Sequence, residues 1–188
     1  RFFTPDDSYA LQKIMVGLIE MEKTHIRTLM FRLTNQPITD ALVRAKKRGV
    51  KIEVVIDSGA SSLLHYSKVH ILASNGIPLN VYQPISMRVK DKGYQSLMHQ
   101  KTIIFANTFG GQVVTTGSLN YTYAAFHGNE EAVIIRNDRQ VFKDHEKNFS
   151  RVKNRSYCYE IYRSKLMNLI IQPEFLHKLY AYFIYTKK

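Results

Sequence analysis

His99 and Lys101 stand two residues apart at the mouth of the apolar run Thr102-Ile103-Ile104-Phe105. On a strand, residues i and i+2 project to the same face, so this spacing sets an imidazole beside an ammonium. An imidazole titrates near neutral pH and can attack an electrophile or carry a proton. The lysine supplies a fixed positive charge for non-bridging phosphate oxygens. Downstream, Gly117-Ser118-Leu119-Asn120 reads as a turn that adds a hydroxyl, an amide and backbone N–H donors, with Gly117 letting the backbone come close. Glu130 and Glu131 follow. A carboxylate there can accept from the imidazole Nδ1–H and leave Nε2 free to react. Strand alternation puts these two acids on opposite faces, so only one points inward. Taken singly, a histidine at a strand start, a solvated lysine and a Gly-Ser turn are all ordinary. Their combination describes an anion site with a nucleophile or proton carrier at its centre.

Other chemistries lack their residues. His65 and His70 are five apart, off the i, i+4 spacing of a helical ligand pair. Asp57 ends a β-branched run and could line the cleft, although it reads first as a cap. Neither a Gly-rich phosphate loop nor a Gly-x-Ser-x-Gly elbow occurs. No metal and no cofactor is expected.

The elements that must position these groups follow from periodicity. Arg1 to Thr4 reads as a strand stopped by Pro5, and Asp6, Asp7 and Ser8 open a helix carrying Leu11, Ile14, Met15, Leu18 and Ile19 at helical spacing. His25 to Leu33 is a strand. A second helix has Thr34 or Asn35 as its cap and Pro37 in its first turn, ends in Lys46-Lys47-Arg48 and stops at Gly49. Ile52 to Ile56 suits a strand buried on both faces. Ser61 to Asn75 reads as a helix and Ile77 to Tyr82 as a strand. Lys101 to Ala106 and Gln112 to Thr116 form a hairpin turning at Gly110-Gly111. A short helix over Tyr121 to Phe126, a last strand over Ala132 to Arg136 and a helix over Val141 to Arg151 complete the pattern. Alternating strands and helices predict an α/β fold.

These residues resemble the phospholipase D superfamily, whose signature is His-x-Lys, a spaced Asp and then Gly-Ser-x-Asn. The resemblance runs from about Phe2 to Phe149 and includes Phe3-Thr4-Pro5 and Ala41-Leu42 to Gly49-Val50. It implies a mixed β-sheet sandwiched by helices. Its catalytic set here would be His99, Lys101, Ser118, Asn120 and, by the acidic segment after the motif, Glu130. In that mechanism one histidine forms a phosphohistidine and a second protonates the leaving oxygen. This chain has one copy of the motif, so the resemblance implies a homodimer that brings two His99 side chains across one cleft. The chain departs from the family where the motif Asp is expected: Ala106 stands there, followed by Asn107.

Length gives one domain over residues 1–150 and a helical extension over 151–188. The extension carries eight Lys/Arg against two Glu, half of the chain's net charge of +12, and six tyrosines. Two helices are expected in it, about Tyr159 to Ile171 and Glu174 to Tyr185. The net charge favours polyanions: single-stranded or duplex DNA, RNA, or an anionic membrane surface. The loop before His99 adds Arg88, Lys90 and Lys92 as candidate substrate contacts, with Gly117. Compact single-motif members of the superfamily are often nucleases, which makes an endonuclease the leading expectation. A lipid phosphodiesterase with a cardiolipin-like substrate is the alternative, and an inactive nucleic-acid-binding member the third. The chain opens on Arg1 rather than Met, compatible with a removed signal or anchor and so with a periplasmic or secreted setting, but the sequence assigns no compartment.

Overall fold

The computed structural model describes residues 1–58, 67–82 and 97–170, with backbone alone for 165–170. In chain order these form β1 (Phe2–Thr4), α1 (Ser8–Met21), β2 (His25–Met30), α2 (Gln36–Lys47), β3 (Lys51–Asp57), α3 (Val69–Ser74), β4 (Leu79–Tyr82), β5 (Lys101–Thr108), β6 (Gly111–Gly117), α4 (Tyr123–His127), β7 (Glu131–Arg136), α5 (Arg139–Lys153), β8 (Ser156–Cys158) and α6 (Tyr159–Ile170). The eight strands make one mixed sheet in the order β1-β7-β6-β5-β2-β3-β4-β8. β2, β3 and β4 are parallel, and every other pairing is antiparallel.

Both faces of the sheet are covered, and strand alternation divides the core between them. Ile26, Met30, Val54, Ile56, Ile103 and Phe105 turn to the side packed by α1, α2, α3 and α4. Leu29, Val55, Ile104 and Val114 turn to the other, against Phe142, Phe149 and Val152 of α5. This is why β3 carries apolar residues on both faces, Ile52, Val54 and Ile56 on one and Val55 on the other. Glu53 on β3 further ties α5 to the sheet. It lies 2.9 Å from His25 Nε2, accepts from Arg27 Nε at 3.0 Å and pairs with Lys153, while Arg27 also pairs with Glu146 of α5.

α2 starts where its sequence signals lie, with Asn35 Oδ1 accepting from Ile38 N at 3.0 Å and Pro37 in the first turn. Such a cap stabilises by about 1 kcal/mol. Several expectations need correction. β2 stops at Met30, so Phe31 lies just beyond it. The described part of the third helix starts only at Val69, with residues 61–66 of the expected span outside the described residues. The β5–β6 hairpin turns at Phe109-Gly110, one residue earlier than the glycine pair suggests. Both residues have positive φ, +53° and +82°, as a two-residue primed turn requires. β7 is not the last strand: Ser156–Cys158 pairs with Asn80–Tyr82 and extends the sheet beyond β4. The expected boundary at 150/151 therefore falls inside α5, with a strand of the main sheet after it. The second helix of the extension lies outside the described residues.

Candidate active site

The ends of five strands meet at one end of the sheet. Met30 at the close of β2 pairs with Lys101 at the start of β5, and Thr102 pairs with Thr116 near the close of β6. Gly117 pairs with Val133, two residues into β7. β3 closes alongside at Asp57. Ligands in open α/β sheets gather at the carboxyl ends of parallel strands, and β2 and β3 end here.

His99 precedes β5 rather than lying on it, so the strand argument for its direction does not apply. It is exposed and is held from two sides. The carboxylate of Asp57, itself fully buried, accepts from Met98 N at 2.7 Å and fixes the backbone one residue before it. The ring of Phe31 stands edge-on to the imidazole, with centroids 4.5 Å apart. The same ring receives Lys101 Nζ 4.9 Å from its centroid. Imidazole and ammonium are thus brought together through Phe31, and Lys101 Nζ also donates to the backbone carbonyl of His99 at 2.6 Å.

Lys101 is buried, and burial is the main reason its pKa falls from 10.5 to about 8. Arg32 pushes in the same direction, while the charges of Glu131 and Asp57 act to raise it. Glu131 is half-buried at the start of β7, in phase with Val133, which faces the core. Glu130, the acid selected from sequence, sits exposed in the turn before β7. The acid whose charge reaches Lys101 is therefore Glu131.

The Gly-Ser-x-Asn segment leaves β6 in a tight contact with β7. A Cβ on Gly117 would lie 2.0 Å from the carbonyl oxygen of Ala132, so only glycine fits. Ser118 N donates to that same oxygen at 3.0 Å, and Ser118 Oγ accepts from Ala132 N at 3.0 Å. The serine hydroxyl proton remains free to donate. Asn120 is half-buried, and its Oδ1 has no hydrogen-bond partner among the described residues. An unmet buried acceptor costs about 1–3 kcal/mol, which a bound group can offset.

Ala106 puts no carboxylate at its place on β5. The neighbouring backbone is braced from another element: Glu22, at the end of α1, accepts from Asn107 N at 2.9 Å and from Thr108 Oγ1 at 2.8 Å. It also accepts from Thr24 N at 2.8 Å and His25 N at 3.0 Å. Burial alone would raise the Glu22 pKa, but the bonds from Thr24, Asn107, His25 and Thr108 together hold it below the usual value.

Arg88, Lys90 and Lys92 lie outside the described residues. Among the described residues no group of three His, Cys, Asp or Glu side chains is placed to hold a metal ion, and no helix is long and apolar enough to cross a membrane. Phe31 and Arg32 were not legible as site residues, because each reaches the site from an element far away in sequence.

The profile of the family described as cardiolipin synthase, PLD-like domain matches residues 15–153. The chain belongs to the phospholipase D superfamily. The PLD-like span takes in every described residue of the site. Among curated relatives, a mitochondrial cardiolipin hydrolase of Xenopus laevis is 24% identical over 79% of this chain and 63% of its own length. A phospholipase D of Rickettsia felis is 29% identical over 73% and 61%. The chain thus spans about six-tenths of the length of these relatives. Among solved structures, NucT from Helicobacter pylori superposes with a TM-score of 0.76 at 17% identity, over 84% of this chain and 96% of its own. Nuc from Salmonella typhimurium, a phospholipase D family member, superposes with a TM-score of 0.67 at 30% identity, over 84% and 94%.

Proposed function

We propose that the chain is a metal-independent phosphodiesterase acting on nucleic acid as an endonuclease, with His99 as nucleophile. One observation carries this reading: an exposed imidazole and a buried ammonium share the ring of Phe31 at the strand ends, opposite the Gly117-Ser118 turn. His99 Nε2 attacks phosphorus, the bond to the leaving oxygen breaks, and that oxygen takes a proton from the His99 of a second copy across a twofold axis. Water then attacks the phosphohistidine, passes its proton to the second imidazole and frees His99. Lys101 holds the non-bridging oxygens through both steps, with Ser118 and Asn120 donating to them. Glu131, rather than Glu130, is the acid of the site and keeps Lys101 charged. The net charge of +12 supports a polyanionic substrate.

A second reading, a lipid phosphodiesterase, is favoured by the cardiolipin hydrolase among the relatives. Purified protein in EDTA, offered labelled single-stranded DNA, duplex DNA and cardiolipin vesicles, separates the two. Cleavage of DNA alone is expected, and cleavage of cardiolipin alone would replace the first reading with the second. His99→Ala should lower turnover by about 10³-fold or more while leaving DNA binding in place. Wild-type turnover by that variant would sink the mechanism, and loss of activity in EDTA restored by Mg²⁺ would sink metal independence.

A further inference from the structure

A cleft of about 370 Å³ opens on the α5 side of His99. Its walls include Tyr82, Leu97, His99, Gln100, Arg151 and Arg155. No Asp or Glu is among the described residues lining it, and its charge comes from the two arginines. Arg151 sits in the last turn of α5, where a cation also offsets the negative helix end. That ordinary role does not extend to Arg155, which lies beyond the helix.

Arg151 is also aimed. Its Nη2 donates to Asn148 Oδ1 at 2.7 Å, and Asn148 Nδ2 donates to Gln100 Oε1 at 2.6 Å. Gln100 is the residue between His99 and Lys101, so this relay fixes the guanidinium against the reactive segment. Lys101 meanwhile faces the α1 side of the sheet, where it shares a small cavity with Met15, Leu119 and Tyr121. The site therefore has two positive poles on opposite sides of the sheet, with His99 between them. A single phosphate gripped by Lys101 leaves the arginine pole empty.

We propose that this cleft is a second phosphate subsite, which takes the phosphodiester flanking the one under attack. Arg151 and Arg155 supply the planar forks that grip phosphate oxygens. Tyr82 offers a half-buried ring on which a base or sugar can pack. The volume lies near the lower end of the ~300–1,000 Å³ usual for small-ligand pockets, enough for one nucleotide unit. The proposal rests on the nuclease reading and makes the substrate class one with at least two neighbouring phosphodiesters. Arg151 lies within residues 15–153, which the family profile matches, and Arg155 lies two residues past them.

The test compares wild type with Arg151→Gln/Arg155→Gln on a single-stranded oligonucleotide and on bis(p-nitrophenyl) phosphate, a diester with no flanking phosphate. The ratio of kcat/KM for the oligonucleotide to that for the small diester should fall roughly tenfold or more, mainly through KM. Binding of the oligonucleotide to the same double variant made on His99→Ala should show a salt slope shallower by about 0.7 for each phosphate no longer neutralised. An unchanged ratio, whether both activities fall together or neither falls, overturns the subsite. If wild type cleaves cardiolipin and not DNA, the nuclease reading fails separately. The subsite is then judged by the ratio of cardiolipin, with two phosphodiesters, to phosphatidylcholine, with one. A fall upholds it and no change overturns it. Wild type that favours neither two-phosphate substrate over its single-phosphate counterpart also overturns it.

Discussion

At the scale of single residues, the buried ammonium of Lys101 sets the pH behaviour. Its folded pKa of about 8 lies below the 10.5 of an open lysine, so the charge proposed to hold phosphate is lost as pH rises through about 8. The kcat/KM profile should show an alkaline limb there. Stability runs the other way. Between about 8 and 10.5 the unfolded chain holds the proton that folded Lys101 releases, so this group's contribution to stability grows with pH across that window. Removing the negative charge that supports the ammonium should lower its pKa further. Glu131→Gln is therefore expected to move the alkaline limb to lower pH, and Glu130→Gln to leave it in place. A shift in the Glu130 variant alone would restore the acid selected from sequence. Sequence alone could not phase the two acids: Ala132-Val133-Ile134-Ile135 is apolar at every position, so composition carries no phase for β7. Only burial of Val133 shows which acid faces inward.

At the scale of elements, legibility followed the strength of local signals. α2 was plain from Asn35, Pro37 and the basic run before Gly49, and β3 from its β-branched run. β8 left no trace, because three residues of Ser-Tyr-Cys show no period and only the β4 edge makes them a strand. The hairpin turn was misplaced because Phe109, a side chain that rarely takes positive φ, does so beside Gly110. The Glu22 hub was equally hidden, since its donors come from Thr24 and His25, just before and at the start of β2, and from Asn107 and Thr108 at the end of β5. Glu22→Ala leaves these donors unmet in a buried place and should cost about 3–5 kcal/mol, read from urea unfolding midpoints. Its folded pKa is depressed, so its contribution is present above about 4.5 and fades as pH falls below that. A loss under about 1 kcal/mol would show that the hub braces β5 only weakly.

At the scale of the whole molecule, the proposed two-histidine mechanism calls for a second copy of the one motif in this sequence. Subunits with His99→Ala, co-refolded with wild type, should give mixed dimers that are nearly inactive. Activity proportional to the wild-type fraction would mean that each chain works alone. The manner of assembly is constrained by how the sheet ends. Among the described residues its two outer strands, β1 and β8, have three residues each, and every longer strand lies between neighbours. An outer strand that short offers an incoming chain few backbone partners, so ribbon-like stacking of copies side by side has little to grow from. Copies that meet through side-chain surfaces then leave little described strand edge from which a first contact could propagate into a fibre.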